Sequence, residues 1–316
     1  MGSSIREEPQ PIPFTVLGGY LGSGKTTLLN YILRHPDGRR LAVIVNDFGS
    51  VNIDASLIEG SDGETVNLAN GCVCCSISGG FSEALAALSE REPPPEHVVI
   101  EASGVADPAK VGYFGSQPPY RLDGVAVVVD AETIRQRAAD KYVGDTVRRQ
   151  LASADIIVLN KTDLVDPDQQ AELRTWLHQQ VPGARYISTC YGELPLAMLL
   201  GPRGDGIPSL GPHDHDHIHD HGDEYASWSL ASDTPVRETT FRAAVASWPE
   251  TVLRAKGVLF LQNEPSRRYV FQLVGRRWSL TPDRAWGRDL PHSAVVVIGL
   301  TGRLDGDALL RTCLAD

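Results

Sequence analysis

Residues Phe14–Leu33 read FTVLGGYLGSGKTTLLNYIL. A short apolar, partly β-branched run enters a glycine-rich turn, and the turn opens onto a stretch suited to a helix, Thr26 to Leu33. Gly19, Gly24, Lys25 and Thr26 carry the full spacing of a P-loop. Glycines let the backbone curl so that its N–H groups face a phosphate, and the helix N-terminus adds partial positive charge at the same place. Gly19, Gly22, Ser23, Gly24, Lys25, Thr26 and Thr27 are therefore the candidate nucleotide-binding residues. Lys25 is expected to reach the outer phosphates and Thr26 to hold Mg²⁺.

Outward from this turn, short β-branched runs alternate with longer stretches as far as about Ile187: LAVIV (41–45), HVVIE (97–101), GVAVVVD (124–130), DIIVLN (155–160) and RYIS (185–188). Further helix candidates lie at Gly80–Leu88 and Asp168–Gln180. Several runs are apolar without alternation, as strands covered on both faces should be. The pattern predicts an α/β P-loop NTPase domain on a mostly parallel sheet, residues 1–208. From 201 to 225 Gly, Pro, His and Asp replace apolar residues, which marks a His/Asp-rich linker at 209–224. A smaller α+β domain is expected over 225–316. Its strand candidates are YASWSLASD (225–233), RETTFRA (237–243), GVLFLQN (257–263), RYVFQLVG (268–275), RRWSLTP (276–282) and SAVVVIGL (293–300), and its helix candidates are Pro249–Lys256 and Asp305–Cys313.

Three further signals concern the nucleotide. Glu101 ends a strand where a carboxylate orients Mg²⁺ or its water. Asn160, Lys161 and Asp163 form an Asn-Lys-x-Asp tetrad after another strand and resemble the guanine-specificity motif of GTPases, with Asp163 accepting hydrogen bonds from the base. The segment NDFGSVNID (46–54) combines acids with turn formers after the second strand, where a switch loop belongs. Asp47 there is a candidate for positioning Mg²⁺ or the attacking water, so Lys25, Asp47 and Glu101 are the catalytic candidates.

Between this loop and Glu101, Cys72, Cys74 and Cys75 crowd into four positions. A Cys-x-Cys-Cys cluster offers soft donors suited to Zn²⁺, Co²⁺ or Cu⁺. Three sulfurs do not complete a tetrahedron, so a fourth ligand would leave the site open and exchangeable. Buried core cysteines or a redox pair are the alternatives. Cys190 and Cys313 read as ordinary buried thiols. His213, His215, His217, His219 and His221, interleaved with Asp214, Asp216 and Asp220, are expected to collect metal weakly at several sites.

GGYLGSGKTT, NDFGSVNID, GCVCC, IEASGVADP and NKTD, in this order and spacing, resemble the CobW-like GTPases, a group of metallochaperones and metal-insertion proteins. The resemblance covers nearly the whole chain, since VLRAKGVLFLQ and YVFQLVGRRWSL look like that family's C-terminal domain. It implies GTP hydrolysis coupled to delivery of a transition metal, zinc first and cobalt second, to a client metalloprotein or a cofactor-synthesis protein. His-rich loops also occur in such relatives. Asp47 and Ser50 depart from the acids usual in the family's switch loop, and Ala102 and Ser103 from its Thr-Thr pair.

Composition narrows the alternatives. Acids exceed bases by 40 to 29, for a net charge of -11, which repels nucleic acid phosphates in the absence of a basic patch. No apolar run approaches the ~20 residues that span a bilayer, and MGSSIREEPQPIP lacks a secretory apolar stretch, so no membrane partner and a cytoplasmic location are expected. A homodimer is compatible with all of this. Two other functions compete with the metallochaperone: a P-loop phosphotransferase, against which NKTD argues, and a non-enzymatic metal store or redox sensor. Turnover without a partner is expected to be slow, near ~10⁻⁴ s⁻¹, because no arginine finger can be assigned in the chain.

Overall fold

Alternate residues of the first strand, β1 (Ile12–Gly18), enter two different cores. Phe14 and Val16 pack on one face and Leu17 on the other, which is why the run is apolar apart from Thr15. The computed structural model describes residues 11–45, 65–67, 73–76, 81–202, 225–300 and 304–314, with 65–67 and 73–76 as backbone only. β2 (Leu41–Val45), β3 (Thr65–Asn67), β4 (Val73–Ser76), β5 (His97–Glu101), β6 (Tyr120–Asp130), β7 (Ile156–Asn160) and β8 (Arg185–Ser188) complete a sheet of order β3-β4-β2-β5-β1-β6-β7-β8. Each neighbouring pair is parallel except β3 with β4. The α/β P-loop architecture expected from the sequence is present.

One face of this sheet is covered by α2 (Phe81–Ser89), α3 (Pro108–Gly115), α4 (Ile134–Ala139), α5 (Gly144–Ala152) and α6 (Pro167–Gln180), through residues such as Leu88, Val111, Ile134, Leu151 and Leu177. The other face carries α1 (Lys25–Arg34) and the short α7 (Leu196–Leu200). Local signals set the helix ends. Asp166 and Gln169 form a capping box at α6, whose first residue is Pro167, and Asp107 caps α3 ahead of Pro108.

The second sheet is antiparallel, in the order β12-β11-β10-β13-β9, from β9 (Tyr225–Ser232), β10 (Val252–Phe260), β11 (Arg267–Val274), β12 (Arg277–Ala285) and β13 (Ser293–Leu300). Two expectations fail here. RETTFRA is helix, not strand: α8 runs Glu238–Ala246 and buries Phe241, Ala244 and Val245, a spacing of three and four that suits helical period. Pro249–Lys256 is mostly strand, since β10 begins at Val252. Its apolar density comes from double coverage: Val252 and Ala255 face the core beneath α8 and α9 (Gly306–Cys313), whereas Leu253 joins the core of the nucleotide domain. Leu253, Val274 and Ile298 thereby dock this sheet on the face that holds α1. No helix among the described residues is long and apolar enough to cross a membrane.

Candidate nucleotide and metal site

The carboxyl ends of β1, β5, β6 and β7 gather the candidate residues at one edge of the sheet. After β1 the chain takes a conformation that only glycine supplies cheaply: Gly19 has φ 137°, and a Cβ there would lie 2.3 Å from the Val128 carbonyl oxygen. Gly24, with φ 100°, precedes α1, and a Cβ on it would meet Asn160 Nδ2 at 2.2 Å. Gly22 sits open at the turn. Ser23 and Lys25 are buried, whereas Thr27 is exposed. Ser23 Oγ has no hydrogen-bond partner among the described residues, an orphan that a ligand oxygen in this cradle would satisfy.

Thr26 Oγ1 donates to Glu101 Oε1 at 3.1 Å, so the first turn of α1 and the end of β5 meet. Glu101 is 2% exposed. A hydroxyl and a carboxylate are hard oxygen donors of the kind Mg²⁺ prefers. The tetrad lies on the other side of the P-loop. Asn160 Nδ2 donates to the Ser23 carbonyl at 2.9 Å, and Asn160 Oδ1 accepts the Gly192 N–H at 3.0 Å. Lys161, with φ 61°, places Nζ 2.6 Å from Asp130 Oδ2. Asp163 lies exposed in a single 3₁₀ turn, Thr162–Leu164. Lys25, Thr26 and Glu101 are thus brought to one place, with Asn160 binding the same loop from the far side.

Sequence reasoning missed Asp130 and the segment Thr189–Gly192. Asp130 fixes Lys161 while its Oδ1 accepts the N–H groups of Glu132 and Thr133. Its signal was legible, a second strand-end acid in GVAVVVD (124–130). Cys313 is buried as expected, and burial pushes its thiol up to about 12. Cys190 is only half-buried, and its Sγ lies 3.2 Å from Thr162 Oγ1 inside the tetrad turn.

Cys74 and Cys75 lie on β4 beside β2, Cys75 paired with Ile44, and Ile44 in turn with Ile100, the residue before Glu101. Two strand spacings separate the Cys75 and Ile100 backbones, about 10 Å. Cys72, Asp47 and His213, His215, His217, His219 and His221 lie outside the described residues. Among the described residues no group of three or more His, Cys, Asp or Glu side chains is gathered to hold a metal.

Residues 13–188 match the family described as CobW/HypB/UreG, nucleotide-binding domain, and residues 225–314 match the cobalamin synthesis protein cobW C-terminal domain. Zinc chaperone CobW from Sinorhizobium sp is 31% identical, over 94% of this chain and 95% of that protein. Zinc chaperone YjiA from Escherichia coli K12 is 33% identical, over 92% and 94%. The crystal structure of the Zn(II)-bound YjiA GTPase from E. coli superposes with a TM-score of 0.50 at 30% identity, covering 96% of this chain and 98% of that one.

Proposed function

Since the chain belongs to the CobW/HypB/UreG family, we propose that this GTPase is a zinc chaperone, binding Zn²⁺ as cargo and handing it to a client metalloprotein. The observation that carries this reading is the junction of P-loop and strand-end acid, Thr26 with Glu101, two strands from the backbone of the Cys-x-Cys-Cys segment. Cobalt is the second cargo candidate. The division into a GTPase domain at 1–208, a linker at 209–224 and a C-terminal domain at 225–316 belongs to the same proposal.

In this mechanism Lys25 and the N–H groups of the Gly19–Thr26 loop hold the phosphates. Thr26 and Glu101 would hold Mg²⁺, which neutralises charge developing on the phosphoryl oxygens. Asp163 reads the guanine, and Asn160 keeps the base and phosphate ends of the pocket in register through its bond to Ser23. Lys161 is fixed by Asp130 with its ammonium turned to that carboxylate, which leaves its alkyl stem to line the pocket. Asp47 would position the attacking water. Cys72, Cys74 and Cys75 bind the cargo as thiolates, in an open set from which a client's ligands can displace them. The His213–His221 run feeds metal to that set.

The test loads the full chain with Zn²⁺ and GTP, adds a zinc-requiring apoenzyme that copurifies with it, and follows GTP turnover and recovered activity together. Transfer that requires hydrolysable GTP is expected. Transfer at the same rate with GDP would remove the chaperone role and leave a GTPase.

A further inference from the structure

Gln150 lies on α5, outside every motif of the nucleotide site, and its side chain is 2% exposed. Its Nε2 donates to two backbone carbonyls of the loop that follows Glu101, Gly104 at 3.0 Å and Ala106 at 2.9 Å. Two acceptors on one side fix the amide orientation, because the flipped form would set Oε1 against both carbonyl oxygens. Oε1 in turn has no hydrogen-bond partner among the described residues. A buried acceptor without a partner is costly, so a residue needed only for packing would be better served by Met or Leu. What the amide does at this position is hold a loop.

That loop abuts the P-loop. A Cβ on Gly104 would lie 2.9 Å from the Leu21 backbone nitrogen and 2.4 Å from its side chain. A turn closed by the Ala106 N–H on the Ser103 carbonyl, at 2.9 Å, shapes the segment, and Asp107 caps α3 at its end. In a trans peptide the carbonyl and the next N–H point in opposite directions. The carbonyls of Gly104 and Ala106 face α5, so the N–H groups of Val105 and Asp107 face away from it. Leu21 of the P-loop and Val105 are both exposed.

We propose that Gln150 is a positioning residue for GTP hydrolysis, which orients the Gly104–Asp107 backbone against the P-loop so that its outward N–H groups meet the terminal phosphate. GTP and GDP differ only in that phosphoryl group. Gln150 therefore acts on the discrimination between the two nucleotides and on the chemical step, and not on guanine or on the inner phosphates. The proposal rests on the GTPase reading.

The experiment compares the full-length parent with Gln150→Met, which keeps the volume and removes both donors, and Gln150→Glu, which keeps the shape and replaces the donors by acceptors. Affinities for GDP and for a non-hydrolysable GTP analogue are measured with kcat and KM for GTP. Both variants are expected to bind GDP within about twofold of the parent, to lose about tenfold in analogue affinity, and to lose at least as much in kcat, as removal of two backbone-orienting bonds implies. A parent-like ratio of analogue to GDP affinity with unchanged kcat overturns the proposal. Equal weakening of GDP and analogue, or loss of all nucleotide binding in both variants, also overturns it, since Gln150 then supports the domain and not the loop. A parent that fails to bind or turn over GTP overturns the GTPase reading itself.

Discussion

Arg254 of β10 crosses from the second sheet and forms a buried ion pair with Asp123 of β6. The same guanidinium donates to the Leu199 carbonyl, and Arg39 donates to the Gly201 carbonyl at 2.7 Å nearby. Burial pushes the Asp123 carboxyl up, but the Arg254 guanidinium, with Arg121, outweighs it and holds it below its ordinary value. The pair contributes mainly by satisfying charges that docking has already removed from water. Arg254→Met leaves Asp123 buried and unpaired and is expected to cost about 3–5 kcal/mol in chemical denaturation. Adding Asp123→Asn should return part of that loss. A single variant within 1 kcal/mol of the parent would contradict the buried geometry.

His97 sits beside this pair, with Nε2 2.8 Å from Thr15 Oγ1 and 3.9 Å from Asp123 Oδ2. Burial drives its pKa down to about 3; Asp123 opposes this, while Arg254, Arg39 and Arg121 reinforce it. The ring is therefore neutral at pH 7, and its approach to Asp123 is not an ion pair. In the unfolded chain the same ring titrates near 6.5, so between about 6.5 and 3 the unfolded state binds the extra proton. Stability should fall as pH drops through that window, by up to about 1.4 kcal/mol per unit. His97→Gln keeps a polar partner for Thr15 and removes the titration. Its unfolding free energy, followed from pH 7 to 4.5, should be flatter than the parent's, and identical slopes would exclude His97 as the source.

In the proposed mechanism Asp163 selects guanine, and it lies exposed in its turn. Asp163→Asn should weaken GTP binding at least tenfold, the loss of about one charge-assisted hydrogen bond, while leaving the melting temperature unchanged. A preference for ATP in parent and variant alike would end the guanine assignment.

Much of this site was readable in order along the chain because each signal is local. The Gly19–Thr26 turn, the acid ending HVVIE and the Asn160–Asp163 tetrad all follow strands, and parallel strands bring their carboxyl ends together without further information. What escaped depends on contacts distant in sequence. Gln150 is an unremarked polar residue in a helix until its carbonyl partners 44 and 46 residues away are known. The reversal of helix and strand at Glu238–Ala246 and Val252–Phe260 has the same origin: β10 is covered on both faces and loses the alternation that would mark it as strand.

Lys25→Ala should abolish turnover. The residue is buried in the first turn of α1 at the mouth of the loop, so nucleotide affinity falls with activity, and near-parental hydrolysis would remove the P-loop assignment.

Coupling between metal and nucleotide is the prediction on which the chaperone proposal depends most directly. The backbone of Cys75 connects through Ile44 to Ile100, and the next residue after Ile100 is Glu101, whose carboxylate accepts from Thr26. Under the proposal, a shift of the β5 end with the nucleotide state would pass through ladder hydrogen bonds to the strand bearing two of the three cysteines. If GTP tightens zinc binding tenfold, linkage requires zinc to tighten GTP tenfold, a coupling of about 1.4 kcal/mol. Zn²⁺ and Co²⁺ titrations against the GTP-analogue, GDP and empty forms measure it, with Co²⁺ thiolate absorption reporting sulfur ligation. Replacing Cys74 and Cys75 by Ser should abolish that absorption, whereas deleting residues 213–221 should lower stoichiometry and spare the tight site. Equal metal affinity in the three nucleotide states would leave hydrolysis with nothing to drive, and the protein would then be a GTPase that binds metal without delivering it.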